Sequence, residues 1–164
     1  MKRLIVVRHA KAEKAEAHRS DFERPLAGRG RRDAAEMGHR LAKRGTQPDA
    51  VVSSPAPRAV ETARIVAREL VFPWAEIQLE ESAYEAGGLE WLSLLRALPD
   101  SVRCALIVGH NPGLTELVQT LAAAFSAQLP TAGVALLDLA VDSWATLRPG
   151  NGHLVLLDSP KSDA

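Results

Sequence analysis

Arg3-Leu4-Ile5-Val6-Val7-Arg8-His9-Ala10 decides how the rest of the chain is read. Four consecutive apolar residues, three of them β-branched, predict a strand from Arg3 to Arg8. Side chains alternate between the two faces of a strand, so an unbroken apolar run must be buried on both. A sheet covered on both faces needs helices on both sides, and the downstream sequence supplies them. From about Gly30 to Arg44, Ala34, Met37 and Leu41 fall on one helical face, and Gly45 is a plausible C-terminal cap. Asp49 to Ser53 reads as a second strand, broken by Ser53-Ser54-Pro55. Ala56 to Leu70 is helical, with Ala59, Ala63, Val66, Ala67 and Leu70 on one side. Glu76 to Leu79 reads as a third strand, Leu89 to Leu98 as a helix, and Arg103 to Gly109 as a fourth strand. Asn111-Pro112 then opens a helix from about Gly113 to Phe125, whose first turn suits a proline.

The last third changes character. Ala132 to Ala140, Trp144 to Leu147 and His153 to Leu157 read as strands, separated by Asp142-Ser143 and Pro149-Gly150-Asn151-Gly152 turns. Strands alternating with helices predict an α/β fold: a three-layer α/β/α sandwich with a mostly parallel central sheet. The C-terminal hairpin adds antiparallel strands. Ala10 to Gly30, polar and punctuated by Pro25 and Gly28, is expected as a long loop. Residues 1–160 are expected to form one domain, and residues 161–164 a frayed tail.

The chain has 164 residues, with Lys plus Arg 20 and Asp plus Glu 20. This cancelled charge argues against a nucleic-acid partner. The apolar runs are far shorter than the roughly 20 residues of a membrane span, so no membrane association is expected. The N-terminal run is also too short for a signal peptide. One cysteine, Cys104, excludes an internal disulfide, and the expected location is the cytoplasm.

Ligands of open α/β sheets collect at the carboxyl ends of the strands. Three predicted strands end in reactive residues: the first in Arg8-His9, the second in Ser53-Ser54-Pro55-Ala56-Pro57-Arg58, the fourth in Gly109-His110-Asn111-Pro112. A parallel sheet brings the three ends to one edge. Guanidinium groups match phosphate oxygens bidentately and keep their charge. A neutral imidazole has a ring nitrogen free to attack phosphorus, and nearby arginines favour that neutral form. A second, protonated histidine can donate to the oxygens where charge spreads during transfer. The helix starting near Ala56 adds its N-terminal dipole. The combination points to phosphoryl transfer through a phosphohistidine, with no metal and no cofactor.

Val7-Arg8-His9-Ala10-Lys11-Ala12-Glu13 resembles the first signature of the histidine phosphatase superfamily. Ser53-Ser54-Pro55 with Arg58, Ala59, Glu61, Thr62 and Ala63, and Val108-Gly109-His110-Asn111-Pro112-Gly113, resemble its second and third segments. Ala10 in place of a commoner glycine, Asp21-Phe22-Glu23-Arg24-Pro25-Leu26, Thr131-Ala132-Gly133 and the small size are similar to the SixA-type phosphohistidine phosphatases. The resemblance implies a phosphoglycerate mutase-like fold. His9 would be the nucleophile, Arg8 and Arg58 would hold phosphoryl oxygens, and His110 would stabilise the transition state. Arg24 would be a further substrate contact. The implied substrate is phosphohistidine on a signalling protein such as a phosphotransfer domain, with phosphate as product. The alternatives are small phosphate esters or phosphoanhydrides, or a non-catalytic phosphate-binding module. Relatives that act on esters carry a carboxylic acid near mid-chain, and the candidate here is Glu85.

The other marked residues have plainer readings. Ser54 is expected as a turn residue or helix cap, and Cys104 as core. Trp74, Trp91 and Trp144 are expected as packing anchors, and His18, His39 and His153 as surface or edge residues. Arg64 and Arg68 are expected to pair with Glu61. Arg29-Gly30-Arg31-Arg32 is expected as a solvated helix start, or alternatively as a docking patch for an acidic partner.

Overall fold

The computed structural model describes residues 1–15 and 20–161. Strand β1 (Lys2–Arg8) leads through a loop into helix α1 (Gly28–Lys43), then strand β2 (Ala50–Ser53) and helix α2 (Pro57–Glu69). Strand β3 (Gln78–Leu79), helix α3 (Gly88–Arg96), strand β4 (Cys104–Gly109) and helix α4 (Gly113–Leu121) follow. Strands β5 (Val134–Leu139) and β6 (Gly152–Asp158) close the chain. The six strands lie in the order β3-β2-β4-β1-β5-β6. The first four in that order run parallel, β5 is antiparallel to β1, and β6 is antiparallel to β5. The sandwich and its antiparallel C-terminal extension are as the sequence predicts.

The alternation along β1 explains its unbroken apolar run. Leu4 and Val6 pack into one core with Trp91, Leu92, Leu114 and Leu117 of α3 and α4. Ile5 and Val7 point the other way, into a second core with Met37, Leu41, Ala63 and Val66 of α1 and α2. All four side chains are buried. Burying a Leu, Ile or Val side chain stabilises the fold by roughly 1.5–3 kcal/mol, so this one strand anchors both layers.

Several local expectations are corrected. Trp144–Thr146 is a turn of 3-10 helix, not a strand. The Ser143 hydroxyl oxygen accepts from the Ala145 N–H, and the buried Trp144 indole donates to the Val102 carbonyl at 2.8 Å. The third strand shortens to Gln78–Leu79, because Trp74–Glu76 also coils into a 3-10 turn. Helix α4 stops at Leu121, where Ala122 turns to φ −128° and the chain bends so that Phe125 packs in the core. Helix α1 starts at Gly28, and the loop before it contains a bridge between Ala12 and Leu26, with Leu26 fully buried.

Trp91 and Trp144 are core residues, but Trp74 is 65 % exposed and lies against the Arg64 guanidinium, 5.3 Å from its ring centroid. Glu61 pairs across helices with Arg31 at 2.6 Å, so its partner is neither Arg64 nor Arg68. Cys104 is buried, and His39 and His153 are exposed. His18, and all of the expected tail except Lys161, lie outside the described residues. Among the described residues no helix is long and apolar enough to cross a membrane.

Candidate active site

The β1–β4 ladder fixes the two histidines side by side. Arg8 pairs with Gly109 in the parallel register, so His9 and His110 each stand one residue beyond the ladder's end. The His9 N–H still donates to the Gly109 carbonyl at 3.0 Å, which locks the step. The two imidazole centroids are 5.1 Å apart, with the planes inclined at 54°. Gly109 leaves room for the core packed beneath the strand's end, where a β-carbon would come within 2.8 Å of the buried Trp91 ring. Next in the sheet, β2 ends at Ser53, and Pro57 begins α2 with Arg58 one residue later. The Thr62 hydroxyl donates to the Arg58 carbonyl at 2.8 Å and accepts from the Ala10 N–H at 3.0 Å. That bond ties the helix to the chain just beyond His9.

These residues converge on a cavity of about 310 Å³ lined by Arg8, His9, Arg24, Arg58, His110 and Asp21, among others. His9 is 9 % exposed, and its Nδ1 lies 2.8 Å from the Ala10 carbonyl oxygen. A carbonyl only accepts, so Nδ1 carries the proton and Nε2 keeps its lone pair. Burial lowers the His9 pKa to about 4, against the pull of the Ala10 hydrogen bond and with help from the Arg58 and Arg8 charges. Burial likewise lowers His110 to about 3, followed by the effects of His9 and Arg58. His110 is therefore neutral in the free pocket, whereas the sequence reading has it protonated. An arriving phosphoryl dianion raises the pKa of both rings. His110 Nε2 lies 2.7 Å from Ser54 Oγ, and that same oxygen accepts from the Ala56 N–H. Ser54 is thus both a turn-capping residue and the group that orients His110.

Each arginine is held in place by hydrogen bonds to the protein. Arg8 Nη1 donates to the Leu129 carbonyl at 3.0 Å, which also accepts from the Asn111 side-chain amide. Arg58 donates from Nη1 to the Asp21 backbone carbonyl at 2.7 Å and from Nη2 to Asp21 Oδ2 at 3.0 Å. Arg24 donates to the Glu13 carbonyl and, at 3.0 Å, to Asp21 Oδ1. The Tyr84 hydroxyl donates to Asp21 Oδ2 at 2.7 Å. These donors, Tyr84 first and then the Arg24 and Arg58 guanidinium groups, hold the Asp21 carboxyl well below the usual carboxylate range. The Tyr84 ring meets His110 edge-on at 5.3 Å.

Glu85 is exposed and is not among the lining residues. The preceding 3-10 turn, Glu81–Ala83, buries Ala83 and, beyond it, Ala86, so Glu85 is left facing outward while Tyr84 reaches the site. Sequence reasoning missed Asp21 and Tyr84. Asp21 stands three residues before Arg24 in a loop, where an aspartate ordinarily signals only a turn. Its bond to Tyr84 crosses 63 positions and leaves no local trace.

The depressed histidines carry a pH signature. The unfolded chain binds these protons near pH 6.5, the folded chain only near 4 and 3. Between those limits the unfolded state holds more protons, so stability is complete above 6.5 and falls as pH drops toward 4. Each histidine contributes about 1.4 kcal/mol per pH unit in that window. Urea unfolding at pH 7, 6 and 5 will show this decline, and His9→Gln/His110→Gln will flatten it. An unchanged slope in the double variant would rule out the two rings as its source.

A family model described as histidine phosphatase superfamily, branch 1, matches residues 4–100, a stretch that includes Arg8, His9 and Arg58. An uncharacterized protein of Mycobacterium tuberculosis is 31 % identical over 165 residues, covering 94 % of this chain and all of the relative. The crystal structure provisionally named phosphohistidine phosphatase SixA from Agrobacterium tumefaciens is 28 % identical with a TM-score of 0.83. It covers 97 % of this chain and 98 % of its own. A structure named in the same provisional way, from Nakamurella multipartitia, is 27 % identical with a TM-score of 0.79, covering 98 % of this chain and 97 % of its own. The chain therefore belongs to the histidine phosphatase superfamily as a phosphatase of its SixA-type branch.

Proposed function

We propose that the protein hydrolyses phosphohistidine through a covalent intermediate on His9. The observation that carries this reading is the His9 ring, its Nδ1 bonded to the Ala10 carbonyl, 5.1 Å from His110 in a cavity shared with Arg8 and Arg58. His9 Nε2 attacks phosphorus, forming one P–N bond as the bond to the leaving group breaks. Arg8 and Arg58 bind the phosphoryl oxygens, and His110 stabilises the charge that develops on them. Water then attacks the phosphoenzyme, phosphate leaves, and the His9 lone pair is restored. No step calls on a metal.

The choice of phosphoramidate over ester rests on Asp21. It is the one carboxylate among the described lining residues, and its three donors keep it ionised. An alkoxide leaving group needs a proton from an acid. A phosphohistidine whose other ring nitrogen is protonated leaves as neutral imidazole and needs none. The natural substrate is then a phosphohistidine-bearing signalling protein, and the lone buried thiol of Cys104 suits a reducing cytoplasm.

The test measures phosphate release from a phosphohistidine peptide and from a small phosphate ester, with an alkaline quench to preserve phosphohistidine on the enzyme. Faster release from the peptide and about one trapped phosphoryl group per chain are expected. Faster ester turnover would favour the small-molecule reading. Phosphate binding with no turnover of either would favour a binding module.

A further inference from the structure

Positive charge does not stop at the phosphoryl cavity. A second groove of about 140 Å³ shares Lys11 and Thr131 with it and continues past Arg29, Asp33 and Lys161. In a chain with 20 basic and 20 acidic residues, cavity and groove together are lined by Arg8, Lys11, Arg24, Arg29, Arg58 and Lys161. Asp21 and Asp33 are the acids among the described lining residues. Asp21 is bound by three donors, and Asp33 lies 3.6 Å from Arg29. Lys11 and Lys161 form no ion pair among the described residues.

The wall between cavity and groove is held firmly. Ala132, next to Thr131, adopts φ +57°, a left-handed conformation that costs a non-glycine residue on the order of 1 kcal/mol or more. Its N–H donates to the carbonyl of His9 at 3.1 Å. On the other side, the Ala27 N–H donates to the Lys11 carbonyl at 2.9 Å, and a β-carbon on Gly30 would collide with that same oxygen. Lys11 and the start of α1, with Arg29, are therefore fixed beside the site.

We infer that this groove receives an acidic side chain next to the phosphorylated residue of a protein substrate, an inference that rests on the phosphatase reading above. The phosphoryl group sits at His9 while the carboxylate reaches across Thr131 to Lys11, Arg29 and Lys161. The groove has room for one side chain. Its cations lie near the surface, so they act on encounter and KM more than on the chemical step.

The test compares two phosphohistidine peptides, one flanked by Glu and one by Gln, on the wild-type protein, Lys161→Glu, and Arg29→Glu/Lys161→Glu. The wild type should favour the Glu peptide about tenfold in kcat/KM, chiefly through KM, and added salt should shrink the preference. The double variant should lose or invert it, and the single variant should show part of the loss. The kcat for phosphoramidate should be unchanged in both variants. Equal use of the two peptides by the wild type, or an undiminished preference in the double variant, overturns the inference. A small phosphate that carries a carboxylate forms a third arm. Charge reversal that weakens its turnover and leaves the peptides unaffected assigns the groove to small carboxylate-bearing phosphates and overturns the protein-segment reading. Peptide binding by fluorescence anisotropy needs no turnover. If the wild type hydrolyses none of the substrates, the catalytic reading fails on its own, and equal binding of the two peptides separately overturns the groove.

Discussion

His9→Asn abolishes turnover of a phosphohistidine peptide, by on the order of 10⁴-fold or more, and leaves no trapped phosphoenzyme. Asparagine matches the inner half of the ring, and its side-chain amide can still donate to the Ala10 carbonyl that now orients His9. It has no nitrogen lone pair to offer phosphorus. The arginines and His110 remain, so inorganic phosphate should still bind within a few-fold of the wild-type affinity. Rapid-quench assays and phosphate calorimetry on the folded variant check both halves. Turnover within tenfold of wild type would place the nucleophile elsewhere.

Arg58→Lys is the second large effect, although it keeps the charge. A guanidinium presents five N–H donors in a plane, and Arg58 gives two of them to Asp21. The others remain for a phosphoryl group. An ammonium has three donors on one atom and cannot hold Asp21 and clamp two phosphoryl oxygens at once. Loss of one such clamp costs roughly 10² to 10³ in kcat. A change confined to KM would show instead that Arg58 binds ground state and transition state equally. Far-ultraviolet circular dichroism distinguishes either result from misfolding, which matters because Arg58 is buried.

Much of this was legible in the sequence because it is written in local pattern. The two-faced run Leu4 to Val7 announces a doubly covered sheet, and the residues after β1, β2 and β4 announce a shared edge. His9, Arg8, Arg58, His110 and Arg24 do come together in the cavity. Failures came where long-range contacts overrule local preference. Trp144 has strand-like neighbours, but its indole needs the Val102 carbonyl, and a 3-10 turn delivers it. Glu61 sits three residues from Arg64 on one helix face but pairs with Arg31 on the neighbouring helix. Glu85 looked like an acid by position, while the carboxylate that reaches the cavity, Asp21, lies in a loop with no periodicity to read. The neutral state of His110 is likewise a matter of burial, which the residue's identity does not disclose.

The register that sets Arg8 opposite Gly109 has a consequence for how such a molecule can diversify. Both imidazoles stand at the ends of the two interior strands β1 and β4, so their spacing rests on the middle of the sheet, the region expected to open last. The exposed side chains of Lys11, Arg29 and Lys161 take no part in that ladder and can be substituted without disturbing it. Reactivity is thereby insulated from taste: new clients can be recruited by editing the rim while the phosphorus-handling machinery stays as it was.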